Sequence, residues 1–143
     1  MFAPWKQAGI KVRCRRDGSS LECVPKQIRY DMKSGKVRII GGEWRRRGLS
    51  FPAVDALRPT PDAVRETLFN WLMPYIFGRH CLDLYAGSGA LAFEAVSRGA
   101  AAAVMVEKNA RAATALKQNC EMIGAQNKIS VTRCFAMDYL STP

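Results

Sequence analysis

Residues 81–91 read CLDLYAGSGAL, in which a short apolar strand is followed by two glycines and the start of a helix. Because glycine has no side chain, Gly87 and Gly89 let the backbone turn tightly or approach a ligand closely. The pattern predicts a strand at 80–84 and a helix at 90–98. The glycine turn has two interpretations at this point: a site for a nucleotide-type ligand, or a turn that serves only close packing.

The sequence that follows repeats the alternation of strand and helix. Strands are predicted at 102–107 and 129–133 and a helix at 110–123, with glycines at the ends of the helical segments. Three successive strand–helix units imply a parallel sheet with right-handed crossovers. The predicted fold class is therefore α/β, with the doubly wound sheet of a Rossmann-like domain.

Two carboxylates flank the glycine turn and indicate which ligand it takes. Glu107 stands 20 residues after Gly87, at a predicted strand end where a carboxylate accepts hydrogen bonds from ribose hydroxyls. The run from Gly87 to Ala92 also fits the relaxed dinucleotide fingerprint. Asp83 argues against a dinucleotide, because a carboxylate repels a pyrophosphate but pairs with the ammonium of S-adenosylmethionine. A helix-capping or turn-stabilising role is the alternative for Asp83.

Positive charge is concentrated in the N-terminal part of the chain. Of the net charge of +10, residues 1–60 carry +9, from 14 Lys and Arg against 5 acids. Within 32–58 a basic β-hairpin is predicted, with strands at 36–40 and 43–47 joined by Gly41-Gly42. Arginines 45 to 47 would then alternate between the faces of a strand, with Trp44 on the core side. A polyanion partner and a solvated edge strand protected by charge are both open interpretations.

A linker helix is predicted at 59–78. Thr60 is the expected N-cap and Pro61 the first helical residue, and Pro74 with Gly78 should end the helix. The apolar side chains expected to pack on the main domain follow helical spacing; they are Val64, Leu68, Trp71 and Leu72.

The remaining features exclude several classes of protein. Residues 1–31 show no persistent pattern and are predicted to be a poorly ordered extension, with Met32 as the natural start. No apolar run is long enough for a membrane span or signal peptide. Five cysteines without a C-x-x-C pair and a single histidine argue against a metal site or a disulfide framework. A cytoplasmic protein with reduced thiols is expected.

The glycine turn with Asp83 and Glu107 resembles the first two cofactor motifs of Rossmann-like S-adenosylmethionine-dependent methyltransferases. In addition, VRIIGGEWRRRGL at 37–49 and LRPTPDAVRETLFNWL at 57–72 resemble the N-terminal part of the bacterial RsmD family. Members of that family methylate the N2 amine of a guanine in 16S ribosomal RNA. The resemblance runs from about Met32 to the C-terminus.

The resemblance implies a role for each matching residue. Asp83 would orient the methionine end of the cofactor, Gly87 and Gly89 would lie under it, and Glu107 would hold the ribose. The backbone of Ala136 would face the adenine, although Phe135 stands where relatives have Asn or Asp before it. The implied cofactor-binding set is Asp83, Ala86, Gly87, Gly89, Glu107 and Ala136. Separately, the basic hairpin is the candidate RNA contact, and the predicted RNA-binding set is Lys36, Arg38, Arg45, Arg46, Arg47 and Arg58.

The resemblance also implies that residues 79–143 form only the N-terminal half of the cofactor domain. Relatives carry an Asn/Asp-Pro-Pro-Phe/Tyr motif after a fourth strand, and this sequence has none, so no catalytic residue is assigned. The chain alone is expected to be marginally stable, aggregation-prone and inactive unless another chain completes it, because its first strand would be an open edge. Its implied partner is 16S ribosomal RNA or the small-subunit particle, with no membrane, no metal and a monomer at full length. The alternatives are a fragment of an NAD(P)-dependent oxidoreductase and a non-catalytic RNA-binding module.

Overall fold

The computed structural model describes residues 35–54 and 57–141. These residues form nine elements. In chain order they are β1 (Gly35–Arg38), β2 (Gly48–Phe51), α1 (Asp62–Ile76), β3 (His80–Asp83), α2 (Ala90–Ser97), β4 (Ala102–Val106), α3 (Ala110–Ile123), β5 (Ile129–Thr132) and α4 (Ala136–Ser141). The predicted extension at 1–31 and the start at Met32 lie outside the described residues.

A parallel three-stranded sheet forms the centre of the described fold. Its order is β3-β4-β5, with His80 opposite Ala102 and Ala103 opposite Ile129. Helix α2 packs on β3 and β4, and α3 packs on β5 and β2. Fully buried apolar side chains from the helices and β4 fill the space between them, among them Phe93, Val96, Met105 and Leu116. The predicted α/β class and parallel sheet are confirmed.

Strand β3 is the edge of this sheet. Within the described ranges no strand pairs with its outer side, and Leu82 in the middle of the strand is 49% exposed. This is the open edge that the sequence predicted, and it presents unpaired backbone donors and acceptors to solvent.

The N-terminal strands β1 and β2 pair antiparallel, with Val37 opposite Leu49, so a hairpin is present. The predicted second strand at 43–47 is wrong, because those residues belong to the loop 39–47 that joins β1 to β2, called here the basic loop. The N–H of Ile39 donates to the Arg47 carbonyl at 2.9 Å, and the N–H of Arg46 donates to the Ile39 carbonyl at 2.8 Å. The three arginines therefore lie in a closed loop and not on alternating faces of a strand.

The backbone of the basic loop is bound to the end of α2, which explains why it forms no strand. The N–H of Glu43 donates to the Ser97 carbonyl at 2.8 Å, and the N–H of Trp44 donates to Ser97 Oγ at 2.9 Å. Ser97 Oγ in turn donates to the Gly41 carbonyl at 2.6 Å. Trp44 is buried, as predicted.

A buried carboxylate completes the attachment of the basic loop. Glu94 is fully buried and accepts the N–H groups of Ile40 and Gly41, each at 2.8 Å. It also accepts a hydrogen bond from Arg98 Nε at 2.7 Å, and Arg65 Nη1 lies 3.8 Å from its Oε2. Because a buried charge is stable only when paired and hydrogen-bonded, Glu94 fixes α1, α2 and the loop together.

Helix α1 begins and ends at positions that differ from the prediction. Pro61 occupies the N-cap position and no side chain caps the helix, so the assignment of Thr60 as N-cap is wrong. Pro74 lies inside the helix, which continues to Ile76. A proline this close to the C-terminus removes one backbone hydrogen bond from the last turns, which the helix tolerates.

The buried face of α1 also differs from the predicted one. Its buried residues are Arg65, Phe69 and Ile76, whereas Val64 and Trp71 are 54% and 72% exposed. The predicted packing face is therefore wrong for Val64 and Trp71, although Leu68 and Leu72 do pack against the core. The cause is the ion pairing of Arg65, which turns a charged side chain inward.

The sequence argues against a membrane span, a metal site and a disulfide framework, and the described residues can be compared with these expectations. None of their helices is long and apolar enough to cross a membrane, and no three metal-ligating side chains cluster in this part of the chain. Cys81, Cys120 and Cys134 are free thiols. Burial raises the pKa of Cys120 to about 11, so this thiol stays protonated at neutral pH.

Candidate functional site

The glycine turn leaves the end of β3 and passes beside β4 before α2 begins. The N–H of Ala86 donates to the Val106 carbonyl at 3.0 Å, which ties the turn to the end of β4. Gly87 and Gly89 have φ angles of +52° and +76°, a region that non-glycine residues adopt at a cost of about 1–2 kcal/mol. The turn thus lies at the carboxyl ends of the parallel strands, where ligands bind in open α/β sheets.

The two glycines meet different surroundings. A Cβ built at Gly89 would lie 2.5 Å from Leu116 Cδ2 and 2.8 Å from a ring carbon of Phe93. A Cβ at Gly87 would have no atom nearer than Leu57 Cγ at 3.8 Å. Close packing of α2 and α3 therefore requires the glycine at 89, while the backbone at 87 is open to an approaching ligand.

Glu107, directly after β4, holds the turn with its carboxylate. Oε2 accepts the N–H of Gly87 at 2.9 Å and Oε1 accepts the N–H of Asn109 at 2.8 Å. Each carboxylate oxygen has a second lone pair. Glu107 can therefore accept further hydrogen bonds from ligand hydroxyls while it holds the turn.

Asp83, the last residue of β3, is half-buried. Its Oδ1 accepts a long hydrogen bond of 3.4 Å from the N–H of Tyr85. Burial raises the pKa of the Asp83 carboxyl above its ordinary value of 3.8, backbone N–H groups of Tyr85 and Ala92 oppose this rise, and the charge of Glu107 adds to it. The ionised carboxylate is thus poorly solvated, and a cationic ligand would stabilise it.

A cleft of about 190 Å³ opens beside Glu107, between the ends of β4 and β5. Ala136 at the start of α4 is buried and lines it, while the ring of Phe135 is 61% exposed. The ammonium of Lys108 lies 5.9 Å from the centroid of that ring. The residues that line the cleft are Leu84, Tyr85, Val106, Glu107, Lys108, Cys134, Phe135, Ala136 and Met137.

The predicted RNA-binding residues lie on the surface, but some of them already contact other residues of the chain. Lys36, Arg45, Arg46 and Arg58 are exposed. Arg38 Nε forms an ion pair of 2.9 Å with Asp62, and Arg47 Nη1 donates to the Ile123 carbonyl at 3.3 Å. Lys36 and Arg38 also line a cavity of about 360 Å³ that lies between the hairpin and the start of α1.

A family model described as Conserved hypothetical protein 95 matches residues 37–142. The chain belongs to this family. Within the Conserved hypothetical protein 95 family, the sequence is 49% identical over 108 residues to ribosomal RNA small subunit methyltransferase D of Escherichia coli strain K12, covering 76% of this chain and 54% of the relative. It is 44% identical over 119 residues to the protein of the same name in Haemophilus influenzae, covering 82% and 62%. The chain thus spans about half the length of these curated relatives.

Solved structures with sequence similarity share the fold of this member of the Conserved hypothetical protein 95 family. The putative methyltransferase yhhF from Escherichia coli aligns with a TM-score of 0.67 at 48% identity, covering 75% of this chain and 58% of that one. A Thermus thermophilus hypothetical protein aligns with a TM-score of 0.62 at 36% identity, covering 73% and 58%. These alignments confirm the predicted Rossmann-like methyltransferase fold.

Sequence reasoning missed the residues that hold the basic loop on the domain. Glu94 and Ser97 lie on α2 and meet the loop from 53 to 56 positions away. It also missed the contact that holds β2 on α3, where the buried amide of Asn119 accepts the Ser50 N–H at 3.1 Å and donates to the Ser50 carbonyl at 2.8 Å. The one available signal was a Glu, a Ser and an Asn at inward positions of otherwise apolar helix faces.

A larger groove, of about 690 Å³, lies between β2 and α3. None of the predicted cofactor-binding or RNA-binding residues lines it. Its lining comes from Ser50, Phe51 and Pro52 and from one side of α3, including Arg111, Thr114 and Met122. The larger opening is therefore not the one at the strand ends, where the chemistry of the glycine turn is found.

Proposed function

We propose that this chain is the cofactor-binding and RNA-binding part of an S-adenosylmethionine-dependent methyltransferase that modifies the N2 amine of a guanine in 16S ribosomal RNA. One observation carries the proposal: at the carboxyl ends of a parallel sheet, an open backbone at Gly87 is bound by the carboxylate of Glu107 and follows a strand that ends in a second carboxylate, Asp83. The names of the relatives support ribosomal RNA as the substrate.

The residues at the turn fit S-adenosylmethionine. Asp83 and Glu107 take part in none of the ion pairs found within 35–54 and 57–141, so both charges are available to a ligand. Asp83 would pair with the ammonium of the methionine moiety, and Glu107 would accept the ribose hydroxyls. Ala86, Gly87 and Gly89 would lie beside the ligand, and Ala136 beside its base. The bound group supplies an electrophilic methyl on a sulfonium.

The same site disfavours a nicotinamide dinucleotide. A pyrophosphate approaching the open backbone at Gly87 would meet Asp83 at the end of the preceding strand, and two like charges repel. An oxidoreductase is therefore the weaker interpretation of this turn.

The basic loop is the proposed RNA contact. Its arginines are held at the surface while Trp44, Glu94 and Ser97 fix its backbone, so the charges are presented on a rigid support. Such contacts to phosphates supply sequence-independent affinity. Within 35–54 and 57–141, the side chains of Arg45 and Arg46 form no hydrogen bond or ion pair, and they are the strongest candidates.

The chemical step itself is not assigned to residues of this chain. The guanine N2 lone pair is delocalised into the ring, so transfer requires acceptors that polarise the amine and an in-line approach. The 143 residues contain no Asn/Asp-Pro-Pro-Phe/Tyr motif. We therefore propose that this chain by itself binds cofactor and RNA without transferring the methyl group, and that the full-length enzyme is a cytoplasmic monomer.

Parallel calorimetric titrations of the chain with S-adenosylmethionine and with NAD test the cofactor. We expect heat of binding with the sulfonium donor, lost in Asp83→Ala, and none with NAD. Binding of NAD alone would indicate the oxidoreductase alternative.

A filter-binding titration with a 16S ribosomal RNA fragment at several salt concentrations tests the RNA contact. Replacing Arg45, Arg46 and Arg47 with alanine should flatten the slope of log K against log salt by about 2, with cofactor affinity retained. An unchanged slope would reject the loop as the contact, and RNA binding without any cofactor binding would indicate a non-catalytic RNA-binding module.

A further inference from the structure

The end of the cleft formed by residues 134–137 carries an exposed aromatic ring. The Phe135 side chain is 61% exposed although it lines the cleft, so the ring is available for contact with a ligand. The ammonium of Lys108 lies 5.9 Å from its centroid, within the range of a cation–π interaction. Lys108 thereby stabilises the ring in this orientation beside the cleft.

This end of the cleft lacks a side-chain acceptor for an amino group. Residues 134–137 are Cys, Phe, Ala and Met, none of which carries a side-chain oxygen. The backbone carbonyl of Phe135 accepts the N–H of Tyr139 at 3.0 Å, the first hydrogen bond of α4. The carboxylate of Glu107 holds the N–H groups of Gly87 and Asn109, and its remaining lone pairs are assigned to the ribose hydroxyls under the proposed function. A planar base would therefore find a stacking surface here, but no side-chain partner for an exocyclic amine.

We propose that Phe135, held by Lys108, binds the base of the adenosyl group by stacking, and that this site does not read the 6-amino group of adenine. The inference rests on the proposed function, since it concerns the base of the same cofactor. Stacking on an aromatic ring tolerates different bases because each has a π face. A hydrogen bond to the 6-amino group, in contrast, would discriminate against a base that lacks it.

Isothermal titration calorimetry of the chain with two ligands tests the inference. One ligand is S-adenosyl-L-homocysteine, and the other is its analogue with hydrogen in place of the 6-amino group, which keeps the N1 acceptor. We expect the two dissociation constants to agree within about twofold. Phe135→Asn places a side-chain carbonyl at this position and should create a preference of about fivefold for the adenosyl ligand.

Phe135→Leu is the matched control, because it keeps an apolar side chain and removes the ring. It should weaken both ligands by about fivefold or more without separating them. Since Phe135 is exposed, all variants should keep the circular dichroism spectrum of the parent chain.

The outcomes separate the inference from the proposed function. A preference of more than tenfold for the adenosyl ligand in the parent chain would overturn the inference and leave the cofactor assignment intact. Equal binding of both ligands by Phe135→Asn would also overturn the inference and leave the cofactor assignment intact. Unchanged affinity of Phe135→Leu for the two ligands would have the same consequence. No heat with either ligand for any form would overturn the cofactor assignment itself.

Discussion

The N–H of Gly87 donates to Oε2 of Glu107 across 2.9 Å, so the residue after β4 fixes the turn that follows β3. The other oxygen of the same carboxylate accepts the N–H of Asn109, the N-cap of α3. A residue predicted from its spacing as a ligand for ribose is thus also part of the structure that shapes the site. Substitution of Glu107 would therefore impair binding for two reasons: the ribose loses a contact, and the turn loses its support. Measurements of binding and of stability separate these two effects.

Glu107→Gln is expected to reduce stability as well as cofactor affinity. The amide has one acceptor oxygen and an NH₂ group, so the N–H of Gly87 or of Asn109 loses its partner. The expected loss in the free energy of unfolding is about 1–2 kcal/mol, measured by urea denaturation. Saturating cofactor should stabilise the parent chain more than the variant. A variant with parental stability would show that these two hydrogen bonds contribute little.

Cofactor affinity is expected to fall as the pH is lowered through the pKa of Asp83. Burial raises that pKa above 3.8, so the carboxylate becomes protonated at a higher pH than an exposed aspartate would. The protonated form cannot pair with the ammonium of the donor. Calorimetry from neutral to mildly acidic pH should show this decline, and Asp83→Asn should bind weakly with little pH dependence in the same range.

The raised pKa of Asp83 also affects the stability of the folded chain. Because the pKa of Asp83 is higher in the folded chain than in the unfolded chain, the folded state binds the extra proton, and ionisation destabilises it as the pH rises through the folded pKa. Asp83→Asn removes this penalty. At neutral pH the variant should unfold at the parental temperature or above it, in contrast to its weakened binding. A lower unfolding temperature would indicate that the carboxylate has a structural partner.

Alanine substitutions should separate the roles of the two glycines. Gly89→Ala places a Cβ 2.5 Å from Leu116 Cδ2 at a positive φ, and strain with overpacking should cost about 2–5 kcal/mol. Gly87→Ala meets no such neighbour and should lose only about 1 kcal/mol, yet its methyl group lies where the ligand approaches. Gly89→Ala should therefore lower the unfolding temperature strongly. Gly87→Ala should mainly weaken cofactor binding in a titration. Equal stability of the two variants would contradict this distinction.

Arg46 has a φ of +70° and is the one non-glycine residue within the described ranges with a positive φ. Arg46→Gly relieves this strain, whereas Arg45→Gly, at an ordinary φ, only increases the freedom of the unfolded chain. We expect the first variant to be more stable than the second by about 1 kcal/mol, measured by chemical denaturation. Both lose one exposed positive charge, so their RNA affinities should fall equally if each arginine contacts a phosphate.

Local patterns predicted the elements whose ends are fixed by neighbouring residues. Helix α3 begins and ends where expected because Asn109 caps it with hydrogen bonds to Arg111 and Ala112, and Gly124 adopts the left-handed conformation after it. The parallel strands follow from apolar runs between such helices. The positions of Asp83, Gly87 and Glu107 at the strand ends follow from the same alternation.

The errors arise where distant residues decide the local structure. The pattern of 43–47 predicts a strand, but Ser97 accepts the N–H groups of Glu43 and Trp44 and the loop accepts the others. Apolar periodicity also places Val64 and Trp71 on the buried face of α1, because it gives no weight to an arginine whose charge is met by Asp62 and Glu94. Ser97 and Glu94 lie far outside a window of one or two turns around these segments, although Asp62, the nearer partner of Arg65, lies within one turn.

The length of α2 is a constraint that follows from its two ends. Its first residue follows the glycine turn, and its last turn carries Glu94 and Ser97, which hold the basic loop. The eight residues span about 12 Å, so this short helix sets the spacing between the glycine turn and the arginines of the basic loop. Inserting a single residue in the middle of α2 would rotate its second half by about 100°. Glu94 and Ser97 would then face away from the basic loop. Natural variation in this helix should therefore occur by substitution and not by change of length.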